Sequence, residues 1–264
     1  MDVGRTTETE KDLVTEDETR SRIKILFWNT AGLRNKDAEF WDYTKQFDII
    51  GMTETWIEEG NWENFKDTLP NDWTWKYRQA KRSHKKGRAK GGIVTGIKRI
   101  FKEEREGYCS DNILERRIEL KGEKWSVITV YNPEGGDQVW QELKENLDDR
   151  EEDKLILGGD YNARIGKKGA IINSDDKDDE ERERNSKDKV INKQGKKMLN
   201  ECAEKGWHIL NGNLIGDEEG ELTYISEQGE SVIDYGIANE WALEDVDSFL
   251  FFLFCPGISV ALLS

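Results

Sequence analysis

Six polar residues stand at or just after short apolar runs: Asn29 in FWN, Glu54 in MTE, Tyr131 in TVY, Asp160 in ILGGD, Asn162 just beyond it, and Asp234 in VID. The ends of strands in a rigid sheet can hold several such side chains at one cleft. Three carboxylates with carboxamide oxygens, and no Cys or His cluster, form a hard oxygen donor set. Such a set suits Mg²⁺, with Mn²⁺ as a substitute, better than Zn²⁺. It matches the needs of phosphodiester hydrolysis, which requires a cation to neutralise charge on the phosphate and a group to deprotonate water. Taken singly, an Asp or Asn after a strand is a turn former; the set as a whole carries the reading.

A second feature is the stretch 76–90, KYRQAKRSHKKGRAK. It holds Lys76, Arg78, Lys81, Arg82, Lys85, Lys86, Arg88 and Lys90 without an acid. Counter-ion release makes such a cluster a natural contact for a phosphate backbone, and Tyr77 can pack on a sugar. On this reading Lys81, Arg82, Lys85, Lys86 and Arg88 bind DNA. A solvated hairpin is the competing one.

These residues need strands and helices to position them. IKILFWN, FDIIGMTETW, GIVTGIKRI and KWSVITVY read as strands. Helices are expected over 37–46, with Asp37 near the N-cap, over the Val139, Leu143, Leu147 stripe, and over 188–205 with Gly206 at C′. KLILGGD delivers Asp160, and further strands are expected near Trp207–Leu210 and Ser231–Gly236. The charged run 174–185 reads as a loop. Strands and helices alternate along the chain, which predicts an α+β class.

At 264 residues with ten Trp and nine Phe, the chain can bury a core despite 36 % charged residues. Its net charge of −15 excludes a generally DNA-attracting surface, so any nucleic-acid contact must be local. Residues 1–21 are acidic, without a secretory pattern, and read as a disordered lead-in. Three scattered cysteines suit neither a metal site nor paired disulfides, so a nuclear or cytoplasmic, non-secreted protein is expected. The ordered domain is expected over 22–248. Residues 249–264, FLFFLFCPGISVALLS, carry no charge and are interrupted by Pro256-Gly257, too short for a membrane span. This break predicts a tail foreign to the domain.

WNTAGLR (28–34), DIIGMTETW (48–56), VYNP (130–133), GGDYNARIG (158–166) and SVIDYGIAN (231–239) occur in a telling order. With them the chain, from Ile23 to Ser248, resembles the exonuclease–endonuclease–phosphatase superfamily, above all the endonuclease domain of non-LTR retrotransposons. The resemblance implies Glu54 as principal Mg²⁺ ligand with Asn29 in support. Asp160 and Asn162 would orient the water or leaving group and hold the scissile phosphate. Tyr131 and Thr223 would contact phosphate, and Asp234 would partner a catalytic histidine. It further implies an α+β, four-layer sandwich of two packed, mostly antiparallel sheets flanked by helices, DNA nicking, and a reverse transcriptase in the same polyprotein.

The chain departs from that pattern at its end. The family closes with a Ser-Asp-His block whose His is the general base, yet no residue after Asp234 is histidine. His84 lies in the basic stretch and His208 in the strand-like WHIL run. Missing a base lowers a rate by about 10²–10⁴-fold. The expectations are therefore an impaired nicking endonuclease and a sheet short of a strand. A catalytically silent DNA- or protein-binding remnant, or a phosphatase of a small phosphorylated substrate, are the alternatives.

Overall fold

The IKILFWN run forms β1 (Ile23–Asn29), whose alternate residues serve two layers. Ile25 and Phe27 enter a core between two sheets, whereas Leu26 enters a separate core beneath helices. The computed structural model describes residues 22–82, 84, 86–104, 106–133, 137–147, 153–172, 183–251 and 258–263.

In the first sheet β1 runs parallel to β2 (Ile49–Thr53), and β4 (Ile93–Lys98) and β3 (Trp73–Arg78) continue antiparallel. The second sheet has the order β5 (Lys102–Glu103), β6 (Ile113–Leu120), β7 (Glu123–Tyr131), β8 (Lys154–Asp160), β12 (Asp234–Asn239), β9 (Trp207–Ile209). Only β7 and β8 are parallel there. β10 (Tyr224–Ser226) and β11 (Gly229–Ser231) form a separate hairpin. Helices α1 (Ala38–Thr44) and α2 (Trp62–Lys66) cover the first sheet through Phe40, Trp62 and Phe65. Helices α3 (Gln138–Leu147) and α4 (Lys193–Lys205) cover the second through Trp140, Leu143 and Met198. A short α5 (Glu240–Leu243) follows β12, capped by Asn239. The result is the expected α+β sandwich of four layers. No helix of the described residues is long and apolar enough to cross a membrane.

The tail departs from expectation. β13 (Val246–Phe251) and β14 (Ile258–Leu263) belong to the first sheet, with β14 between β13 and β1 and antiparallel to both. The physical reason is period-2 alternation: Val260 faces the helix-side core, while Ala261 and Leu263 face the core between sheets. Residues 258–263 thus lie inside the domain, and the position next to β1 is filled rather than open. Phe249 is fully buried on Gly236 of the opposite sheet, where an added Cβ would lie 2.3 Å from its ring. Gly236→Ala is therefore expected to cost about 1–3 kcal/mol by overpacking. A urea midpoint equal to wild type would show that Phe249 does not seat there.

Other boundaries also shift. The 188–205 helix starts only at Lys193, because the Asn192 side chain accepts from Gly195 N and caps it there. The 231–236 strand splits around 232–233. Val232 N donates to Asp188, and Ile233 N and Asp234 N to Thr223 Oγ1, so these amides serve side chains instead of a ladder. Lys76 and Arg78 lie in β3 rather than in a loop. Residues 1–21, and 174–182 of the charged run, lie outside the described residues.

Two buried charges knit the loops that follow β8 and β9. Arg184, 2 % exposed, donates to the carbonyls of Gly166, Lys168, Asn185 and Asn211. Asp217 accepts from Gly212 N at 2.9 Å and Glu221 N at 2.7 Å. Burial outweighs these amides and pushes its carboxyl from an ordinary 3.8 up to about 6. The folded state then binds this proton more tightly than the unfolded chain. Its contribution is greatest below about pH 4 and is lost as pH rises through about 6, a difference of up to about 3 kcal/mol. Asp217→Asn is expected to remove that component from the pH profile. Urea midpoints of wild type and variant between pH 4 and 7 should converge toward the acid end; a constant gap would refute the assignment.

Candidate active site

Glu54 follows β2 with φ +49°, and Trp56 has φ +57°. Both stand in the left-handed region that L side chains disfavour. Backbone bonds pin the kink from two sides. Gly32 N donates to Glu54 O and Leu33 N to Thr55 O, while Thr55 N donates to Gly92 O and Trp56 N to Gly91 O. The kink brings the Glu54 carboxylate to three donors. Trp56 Nε1 at 2.5 Å and Gly91 N at 3.1 Å reach Oε2, and the Tyr131 hydroxyl reaches Oε1.

Sheet register gathers the remaining groups. Tyr131 at the end of β7 is level with Asp160 at the end of β8, which is level with Asp234 at the start of β12. Asn29 at the end of β1 reaches across from the other sheet, its Nδ2 donating to Asp160 Oδ2 at 2.9 Å. Asn162, at φ +47°, donates its backbone N–H to Asp160 Oδ1 and its side-chain amide to Asn132 O. A cleft of about 430 Å³ opens above, lined by Asn29, Glu54, Trp56, Arg88, Thr223 and Asp234, with exposed Tyr224 and Ile225 of the hairpin at its rim. Of the six residues singled out by type and spacing, Asn29, Glu54 and Asp234 line this cleft with Thr223; Tyr131 bonds to Glu54, Asp160 to Asn29 and Asn162 to Asp160.

Four cations of the basic stretch are ion-paired. Lys76 pairs with Glu103, Arg78 and Lys81 with Asp111, and Arg82 with Glu58. Of the five residues expected to bind DNA, Lys81 and Arg82 are thus paired with carboxylates. Lys86 is exposed away from the cleft lining, and Lys85 lies outside the described residues. Of the described residues among the five, Arg88 lines the cleft, its guanidinium 3.7 Å from the centroid of the Trp56 ring.

No protein-family model matches this chain, and no curated protein matches it. Solved structures do. The endonuclease domain of TRAS1, a telomere-specific non-LTR retrotransposon, is 16 % identical over 92 % of this chain and 98 % of its own, with a TM-score of 0.58. The 3′ phosphatase NExo from Neisseria, bound to a product DNA hairpin, is 13 % identical over 92 % and 99 %, at 0.64. An AP endonuclease from Archaeoglobus fulgidus is 16 % identical over 92 % and 99 %, at 0.61. The chain has the exonuclease–endonuclease–phosphatase fold.

Within that fold the cleft sits where both sheets end. Burial, and then the charge of Asp160, push the Asp234 carboxyl well above the ordinary carboxylate range. Its Oδ1 is buried with no hydrogen-bond partner among the described residues. Neither histidine serves it there: His208 pairs with Ala238 in the β9–β12 ladder, and His84 is exposed in the basic stretch.

The oxygen set fits a hard cation. Glu54 accepts three hydrogen bonds, and a carboxylate has about four lone-pair sites. Asn29 Oδ1 accepts once, from Ala31 N, and keeps its second lone pair. Among the described residues no three acidic, His or Cys side chains converge into a closed cage. A site of one or two protein oxygens completed by water and phosphate is the kind Mg²⁺ takes.

Sequence reasoning missed Trp56, Gly91 and the Arg164–Asp188 pair. Arg164 donates to both Asp188 oxygens at 2.7 Å, and Asp188 also accepts from Val190 N and Val232 N. Burial raises the Asp188 carboxyl, but Arg164 and the amides outweigh it and hold it below its ordinary value. The pair fixes the approach to β12 and so the placing of Asp234. Trp56 had a signal in ETW, two residues after the glutamate; Asp188 had none.

Proposed function

We propose that this chain is a Mg²⁺-dependent phosphodiesterase of the retroelement-endonuclease kind, nicking DNA slowly for want of a histidine base. The observation that carries the reading is the Glu54 carboxylate, held by three donors in a cleft that also presents Asn29, Thr223, Asp234 and Arg88. Glu54 and Asn29 would hold the cation, which when bound neutralises charge on the phosphate and acidifies water. Arg88 offers a guanidinium to a phosphate oxygen, geometry suited to bidentate contact. Asn162 and Asp160, locked to each other and to β1, orient the groups on the attacking or leaving side. Asp234 keeps a buried oxygen without a hydrogen-bond partner among the described residues, and neither described histidine stands beside it as the resemblance would have it. Tyr224 and Ile225 give the rim an apolar wall for a nucleic-acid groove rather than for a small polar phosphate.

The test is nicking of supercoiled plasmid with Mg²⁺ or EDTA, with unlabelled DNA or a small phosphomonoester as competitor. Slow, Mg²⁺-dependent relaxation competed only by DNA is expected. Competition by the phosphomonoester would favour a phosphatase. DNA binding without relaxation would favour a silent binding protein in a nuclear or cytoplasmic setting.

A further inference from the structure

We infer that Trp56 is a positioning residue, which fixes Glu54 for a hard divalent cation through its indole N–H and seats Arg88 in the same cleft through its ring. The inference rests on the proposed reading of Glu54 as the cation's ligand. Three contacts meet at this one side chain. Its Nε1 donates to Glu54 Oε2 at 2.5 Å, a charge-assisted bond to the carboxylate itself. Its ring carries the Arg88 guanidinium at 3.7 Å. Its backbone, at φ +57°, is fastened to Gly91, whose own N–H is another donor to Glu54.

The surroundings hold the indole in this pose. The ring packs on Gly32, where an added Cβ would lie 2.5 Å from it, and Gly32 itself stands at φ +101°. The loop that brings Arg88 is closed by the Lys81–Lys90 bridge and pinned by Arg82, which donates to Glu58 and to Gly87 O. Arg88 is therefore delivered to the indole by a fastened loop. Partners that orient a metal ligand in this way typically contribute about 10- to 100-fold to metal affinity.

The test separates the two ends of the indole. Trp56→Phe keeps a ring for Arg88 and removes the N–H. Benzothienylalanine at the same position keeps the full shape and also lacks the N–H, so it serves if the Phe variant fails to fold. Mn²⁺ binding to the whole chain, read by electron paramagnetic resonance, is expected to weaken about 10- to 100-fold in both. The Mg²⁺ concentration for half-maximal nicking should rise by the same factor, with KM for DNA unchanged. Arg88→Ala should do the reverse, raising KM and reducing the salt slope of DNA binding by about one unit while Mn²⁺ affinity holds. If wild type binds no Mn²⁺, or Glu54→Ala binds it equally well, the reading of Glu54 fails and this inference with it. If Glu54→Ala loses Mn²⁺ while both Trp56 variants bind it as wild type does, the positioning role alone is overturned.

Discussion

Glu54→Gln is expected to lower Mg²⁺-dependent nicking by about 10²–10³-fold while leaving the thermal midpoint close to wild type. The amide matches the carboxylate in shape and keeps one carbonyl oxygen. That oxygen can accept from Trp56 Nε1 and Gly91 N, as Oε2 does in the native protein. The new NH₂ then points at Tyr131, whose hydroxyl can rotate to accept instead of donate. The network survives and only the charge is lost, so the variant isolates the electrostatic role from the structural one. Plasmid nicking and a thermal melt, run on the same preparation, check both halves. Nicking at the wild-type rate would trace the activity to a contaminant or to other residues.

The largest stability effect is expected at Arg116. Its side chain is 1 % exposed in β6, yet it binds across to the other sheet. Its Nε and Nη2 donate to the two Glu103 oxygens at 2.7 and 2.8 Å, and Nη1 donates to Thr95 O and Oγ1. Nη2 also donates to Thr74 Oγ1 at 2.8 Å. Burial raises the Glu103 carboxyl, but Arg116 and Lys76 together pull it below its ordinary value. Arg116→Met leaves that half-buried carboxylate with Lys76 and a long bond from Thr74 Oγ1, and should cost about 3–5 kcal/mol. For a chain of this size that lowers Tm by about 6–20 °C. Removing both partners, as Arg116→Met with Glu103→Leu, should recover most of the loss, because an apolar pair of similar volume has no charge to strand. A single variant melting with wild type would mean the bridge contributes nothing.

The same arginine shows why part of the fold was hidden in the sequence. In ILERRIEL, Glu115 and Arg116 are buried, so apolar alternation does not mark the strand. Their burial is balanced by Glu103, Thr95, Ser126 Oγ and Tyr108 N, partners that only the folded chain brings together. β1, β2, β7 and β8 were legible because each is mostly apolar and ends at or just before a polar residue. That rule also marked Asn29, which lines the cleft, and Tyr131 and Asp160, which bond to cleft residues. It could not show the left-handed kink that turns Glu54 toward its donors, since φ at Glu54 and Trp56 is imposed by bonds to Gly32 and Gly91 from distant segments. Charge counting at 76–90 could not show the ion pairs there, for a related reason. Asp111 and Glu58 lie far along the chain from the cations they neutralise.

The place of β14 governs the order in which this molecule can assemble. Ile23 pairs with Leu263, so β1 gains its second neighbour only after almost the entire described chain has been made. During synthesis β1 can dock on β2, but its other edge stays open and the apolar faces of Ile25, Leu26 and Phe27 lack part of their cover. Pairing of such high sequence separation is slow to form, and open edges of this kind recruit other chains. Folding rate and yield should therefore depend far more on residues 258–263 than their small share of the core suggests, with β1 the seam along which nascent molecules associate.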